Sequence, residues 1–152
     1  MTDRRPLDVG RVLVPVDTSE ESTDAVAYAA TIAAEYDAAL HVVHVLDESV
    51  VRAIEAGDVD DDRVAADGEA IVEAVRGVAA DHDVPVSTSV AYGFSTTVKL
   101  RHPGSVVLDT AEDVGADFRV VPRESVAGND GEVLAKAAEY VLLYASQPVL
   151  SV

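Results

Sequence analysis

The sequence predicts an α/β domain built on an open parallel sheet with helices on both faces. Two observations carry this: short apolar runs of strand length alternate with stretches of helical period along the whole chain, and the apolar residues are overwhelmingly small and aliphatic. Hydrophobic residues make up 49% of the sequence but aromatics only 5%, so the core must be built from Val, Ala, Leu and Ile. Such residues suit strands packed closely against helices. A chain of 152 residues fits one compact domain burying roughly two thirds of its unfolded surface. The expected division is a polar extension over residues 1–10 followed by a single domain over 11–152.

The first strand is expected at Arg11–Val16 (RVLVPV), an apolar run stopped by Pro15 and Asp17. A helix follows at once: Thr18 can cap it, Glu21 completes a capping box, and Ala25, Ala29, Ile32, Ala33 and Tyr36 recur on one face. His41–Leu46 (HVVHVL) is the second strand. Asp47 to Asp62 turns acidic and reads as a solvated linker. An acidic metal site at Asp60, Asp61 and Asp62 is the sharper alternative, although adjacent side chains at a helix start diverge and no calcium-loop spacing surrounds them. Val64, Gly68, Ile71, Val75 and Val78 mark the second helix, ending near His82.

Val84, Val86, Thr88, Val90 and Tyr92 alternate with small or polar residues as a half-buried third strand should, and Val98 and Leu100 alternate again after a turn at residues 93–95, predicting a hairpin. Pro103 and Gly104 open a helix carrying Val106, Val107, Thr110, Ala111 and Val114, which ends at Gly115. Phe118–Val121 is the fourth strand. After a polar loop from Pro122 to Gly131, Val133, Leu134, Ala137, Val141 and Leu142 form one face of a last helix, and Val149–Val152 closes the chain as the fifth strand.

Charge narrows the function. There are 28 acidic residues against 11 basic ones, giving a formal charge of −17, which speaks against nucleic acid as a partner. Self-repulsion of this size strains a compact fold in dilute salt, and concentrated cations relieve it. The two lysines and many aspartates therefore suggest a salt-rich cytoplasm, with an ordinary solubilising surface as the plainer alternative. No cysteine is present, so disulfides, thiolate metal sites and a cysteine nucleophile are excluded. The opening ten residues lack a signal peptide's apolar core and no stretch has the apolar length of a membrane span, so a cytoplasmic, membrane-free protein is expected. His41 and His44 stand three apart on a strand and face opposite sides, which prevents a shared metal, and no nucleophile elbow or triad pattern appears. The sequence supports neither a metal nor a catalytic site.

The run VLVPVDTSEES (residues 12–22) resembles the opening of universal stress proteins, where a first strand ends in Pro-Val-Asp and a Ser-rich turn starts the helix. HVVHVLDE (41–48), AEDVGAD (111–117) and AEYVLLYASQPVLSV (138–152) are similar to the family's second strand, third-helix exit and closing helix and strand. The resemblance implies a five-stranded, Rossmann-like sheet of the adenine nucleotide alpha hydrolase type. It also implies a stress-linked regulatory or protective protein, working through protein partners and a homodimer paired along the last strand, Val149, Leu150, Ser151 and Val152.

Members of that family that bind ATP carry G-x2-G-x9-G-(S/T) after the fourth strand, where glycines let backbone N–H groups approach phosphate oxygens at a helix N-terminus. The matching positions here are Pro122, Ser125, Ala135 and Lys136, which keep the spacing and none of the glycines. Pro122 has no N–H to donate, and Ser125 and Ala135 bring a Cβ where close approach is needed. Lys136 can attract an anion, fill the phosphate space or pair with a carboxylate. By resemblance Pro15, Asp17 and Val45 are the adenosine-side positions, with a helix-capping carboxylate as the other reading of Asp17. The expectation is a protein without cofactor that does not bind ATP, and the alternative is a weak switch for AMP or ATP.

Two departures from the family pattern stand out. The segment between Val84 and Pro103 is about eight residues longer than the pattern requires, extending the third strand into a hairpin bearing Lys99, Arg101 and His102. That basic patch either receives an acidic partner or neutralises its neighbours. Arg119 lies within a strand that is otherwise apolar, and if buried it would need a carboxylate partner.

Overall fold

The computed structural model describes residues 7–17, 20–46, 56–57, 61–92, 103–122 and 140–152. The element order is β1 (Arg11–Val16), α1 (Glu20–Glu35), β2 (Ala39–Leu46), α2 (Asp61–Asp81), β3 (Val86–Tyr92), α3 (Pro103–Val114), β4 (Phe118–Val121) and β5 (Val149–Ser151). Residues 140–144 are also helical. The strands form one sheet in the order β3-β2-β1-β4-β5, and every pairing is parallel. The chain thus winds outward from β1 through β2 to β3, then returns to place β4 on the other side of β1. This is the topology whose switch point offers a crevice at the carboxyl ends of the central strands.

Two apolar layers flank the sheet. Val12, Val14, Val16, Val42 and Val120 pack with α1 and α2 on one face. Leu13, Val43, Val45 and Val121 pack on the other with Val107 and Ala111 of α3 and with Val141. The alternation follows from the two-residue period of a strand, and both faces are apolar because both are covered.

The three helices end alike. After α1, Ala38 N–H donates to Ala33 O (2.7 Å) with Asp37 at φ 55°. After α2, Val84 N–H donates to Ala79 O (2.9 Å) with Asp83 at φ 56°. After α3, Ala116 N–H donates to Ala111 O (2.8 Å) with Gly115 at φ 69°. Each is a Schellman closure, in which one left-handed residue turns the chain back to satisfy the last carbonyls. Gly115 takes that conformation without strain, whereas at the other two sites an aspartate occupies it.

Within the described residues the expected elements lie where they were placed, with local differences, while Val133, Leu134 and Ala137 of the expected last helix fall outside those residues. β2 begins two residues earlier, at Ala39, because Ala39 already pairs with Arg11. β3 pairs in parallel with β2, while the proposed second arm of the hairpin, with Lys99, Arg101 and His102, falls outside the described residues. So do Thr18 and the acidic linker, apart from a turn at residues 56–57 and the start of α2. Leu142, assigned to the buried face of the last helix, is half exposed, while Val141 beside it is fully buried. One step around a helix is about 100°, enough to move a side chain from core to surface.

Candidate functional site

β1 ends at the carboxyl edge of the sheet and hands the chain to Asp17, which is 7% exposed. The Asp17 N–H donates to Ser22 Oγ (2.9 Å), and the Ser22 hydroxyl donates to Asp17 Oδ1 (2.8 Å). This reciprocal pair closes the turn into α1 and fixes the carboxylate against the first turn of the helix, where the helix dipole favours negative charge.

Asp17 and Ser22 also line the polar end of a cleft of about 360 Å³ between α1 and α2. Val16, Val26, Ile71, Val75 and Val78 supply its apolar walls. The small residues Ala70 and Ala74 of α2 leave the space open. His44 is the register partner of Val16 and is buried on the same face, opposite Gly68 of α2. A cavity of this size with apolar walls and a few convergent polar groups is the usual form of a small-molecule site. Here the polar end offers one carboxylate acceptor and hydroxyl groups, so it favours a ligand with hydrogen-bond donors at one end.

Only Asp17 among the three adenosine-side positions lines this cleft. Pro15 shares the face of Leu13, and Val45 packs in the α3-side layer, so both stand on the opposite face of the sheet. Pro122 is buried immediately after β4. Ser125, Ala135 and Lys136 lie outside the described residues. Val149, Leu150 and Ser151 form β5, half buried at the edge of the sheet, and Val152 N–H continues the ladder to Val121 O (3.0 Å).

The remaining polar groups are structural or lie elsewhere. His41 and His44 do face opposite sides: His41 points to the α3 side, with Nδ1 2.6 Å from Ser87 Oγ and Nε2 2.9 Å from Ser89 Oγ. Burial, and then the positive charge of Arg11, hold its pKa below the ordinary value. His82 Nδ1 donates to Val78 O (2.9 Å) at the end of α2, and Nε2 lies 3.4 Å from Thr31 Oγ1 of α1, joining the two helices. Among the described residues no group of three His, Asp or Glu side chains is placed to hold a metal ion. Among them too, no helix is long and apolar enough to cross a membrane.

Sequence reasoning located Asp17 and the Ser-rich turn but not the α2 wall of the cleft. Ala70 and Ala74 read only as ordinary helix residues, since a groove arises from which helices become neighbours.

Comparison with known proteins agrees with this architecture. The profile of the "Universal stress protein family" matches residues 9–152. A universal stress protein of Methanocaldococcus jannaschii is 26% identical over 145 residues, covering 93% of this chain and 81% of the relative. Among solved structures, a universal stress protein in complex with cAMP superposes with a TM-score of 0.65 at 20% identity, covering 96% of this chain and 98% of the other. A universal stress protein from Archaeoglobus fulgidus in complex with dAMP gives 0.64 at 17% identity, covering 93% and 96%.

Proposed function

Because the chain belongs to the universal stress protein family, we propose that it is a cytoplasmic regulatory or protective protein that acts by association, as a homodimer with protein partners, rather than by catalysis or ATP binding. The observation that carries this reading is Pro122. It occupies the exit of β4, where a phosphate cradle must begin, and it is buried there with no N–H to offer and a fixed φ. Ser125 and Ala135 replace the other two glycines of the cradle by sequence, and Lys136 replaces its small hydroxyl residue. The edge strand β5 supports the homodimer, since its outer side offers backbone groups to a second copy.

A second reading is favoured by the cleft itself. The two solved relatives named above are complexes with cAMP and dAMP, nucleotides with a single phosphate that ask little of a triphosphate cradle. A nucleoside could enter the α1–α2 cleft with its donors toward Asp17 and leave its phosphate in solvent.

Calorimetric titration with ATP, ADP, AMP and cAMP in molar salt separates the two. No binding tighter than millimolar is the expected result for a protein that works by association. Binding of AMP or cAMP that is lost in Asp17→Ala would establish the nucleotide switch instead. Tight, Asp17-independent ATP binding would refute both readings.

A further inference from the structure

Arg119 poses a problem that the α1–α2 cleft does not touch. It lies on β4 between Leu13 of β1 and Val149 of β5, on the face covered by α3, and is 4% exposed. Its Nε and Nη1 are buried without a hydrogen-bond partner. Arg11, at the start of β1, is on the same face: its Nη1 donates to the carbonyl of Val114, the last residue of α3, while its Nε is buried without a partner. Three guanidinium nitrogens on neighbouring strands are therefore unsatisfied inside an acidic protein with only 11 Lys and Arg residues.

Among the described residues neither nearby acceptor bonds these groups: the Asp117 carboxylate is already engaged, and the buried Ser151 hydroxyl of β5, itself without a partner, supplies no negative charge. Asp117 accepts from Gly10 N–H (2.9 and 3.1 Å) and Arg11 N–H (3.1 Å), and it favours the charge of Arg119 without bonding to it. Asp109, Glu112 and Asp113 of α3 are exposed to solvent. Among the described residues, two guanidinium groups face one carboxylate, an excess of one positive charge. A lysine or histidine in this position could relieve its burial by losing a proton, but a guanidinium cannot. What remains is a counter-charge that accepts hydrogen bonds and donates none.

We propose that Arg119 and Arg11 bind one small inorganic monoanion, of the chemistry of chloride, beneath the last turn of α3. The site lies at the amino end of the sheet, away from Asp17. The apolar neighbours on this face, Leu13, Ala111, Ala116 and Val121, suit a compact ion that sheds its water and not a phosphate needing many donors. The consequence is a fold that gains stability from the anion of the salt as well as from screening by its cation.

The test compares thermal unfolding in sodium chloride and in sodium gluconate at the same molar sodium, so that screening of the carboxylates is held constant. The wild-type protein is expected to melt roughly 3 °C or more higher in chloride, and Arg119→Met is expected to lose that difference. The same difference in both proteins would overturn the proposal. Crystals of the wild-type protein grown in sodium bromide decide the matter even if the variant does not fold. An anomalous peak within hydrogen-bond distance of Arg119 Nε or Nη1 supports the site, and an empty map at molar bromide removes it.

Discussion

His41 is held between two serine hydroxyls of β3, one at each ring nitrogen. A neutral imidazole suits this, since one nitrogen donates to a hydroxyl oxygen and the other accepts a hydroxyl proton. Protonation would replace an acceptor with a donor, in a buried place already facing Arg11. The folded pKa is therefore below the unfolded value, and the unfolded chain binds the proton first as pH falls. Stability is fully present above about pH 6.5 and declines as pH falls from there toward the lower folded pKa. We expect the melting temperature in molar salt to drop between pH 7.5 and 5.5, and His41→Gln to show a flatter profile over the same range. Equal slopes in the two proteins would assign the dependence elsewhere. Asp17 belongs to this scale too: its position at a strand end was legible from Pro15 and Asp17 punctuating an apolar run, whereas its bond to Ser22 was not, because only the folded turn brings residues five apart together.

At the scale of elements, the helix ends carry the plainest cost. None of the three helices has a basic residue in its last turn, and Glu35, Asp81, Glu112 and Asp113 place carboxylates beside the negative end of the dipole. Asp37 and Asp83 add a left-handed backbone that glycine adopts more readily. Asp37→Gly and Asp83→Gly should each stabilise the fold by about 0.5–1 kcal/mol, or about 1–4 °C in melting temperature. The gain should be larger in dilute salt, where the removed charge is unscreened. A loss of stability in both variants would mean that the carboxylates make contacts worth more than the strain. The elements themselves were largely legible: β1 and β4 keep the bounds that apolar runs and their Pro, Asp and Gly stops indicate. β3 shows where pattern alone runs out. Val84 is buried and Val86 half buried, yet Val90 is 59% exposed, while Ser87 and Ser89 turn to His41. Alternation fixes which residues share a face, but how far an edge strand is covered depends on where a helix passes over it.

The whole molecule brings charge and association into conflict. A second copy meeting β5 would add another −17 to the assembly, and the repulsion acts over about 10 Å at 0.1 M salt but only about 3 Å at 1 M. Against it stand the outer side of β5, unpaired among the described residues, and the exposed Leu143 and Tyr144 in the helical turn that precedes the strand. Apolar burial and strand pairing do not weaken in sodium chloride, whereas the repulsion does. The proposed homodimer should therefore depend on salt. Light scattering is expected to give the monomer mass of 15.9 kDa in dilute buffer and twice that mass in molar salt. Leu150→Lys, which puts a charge on the edge strand, should keep the protein monomeric in both. A monomer at every salt concentration would reject association through this edge. A dimer unaffected by Leu150→Lys would place the interface elsewhere on the molecule.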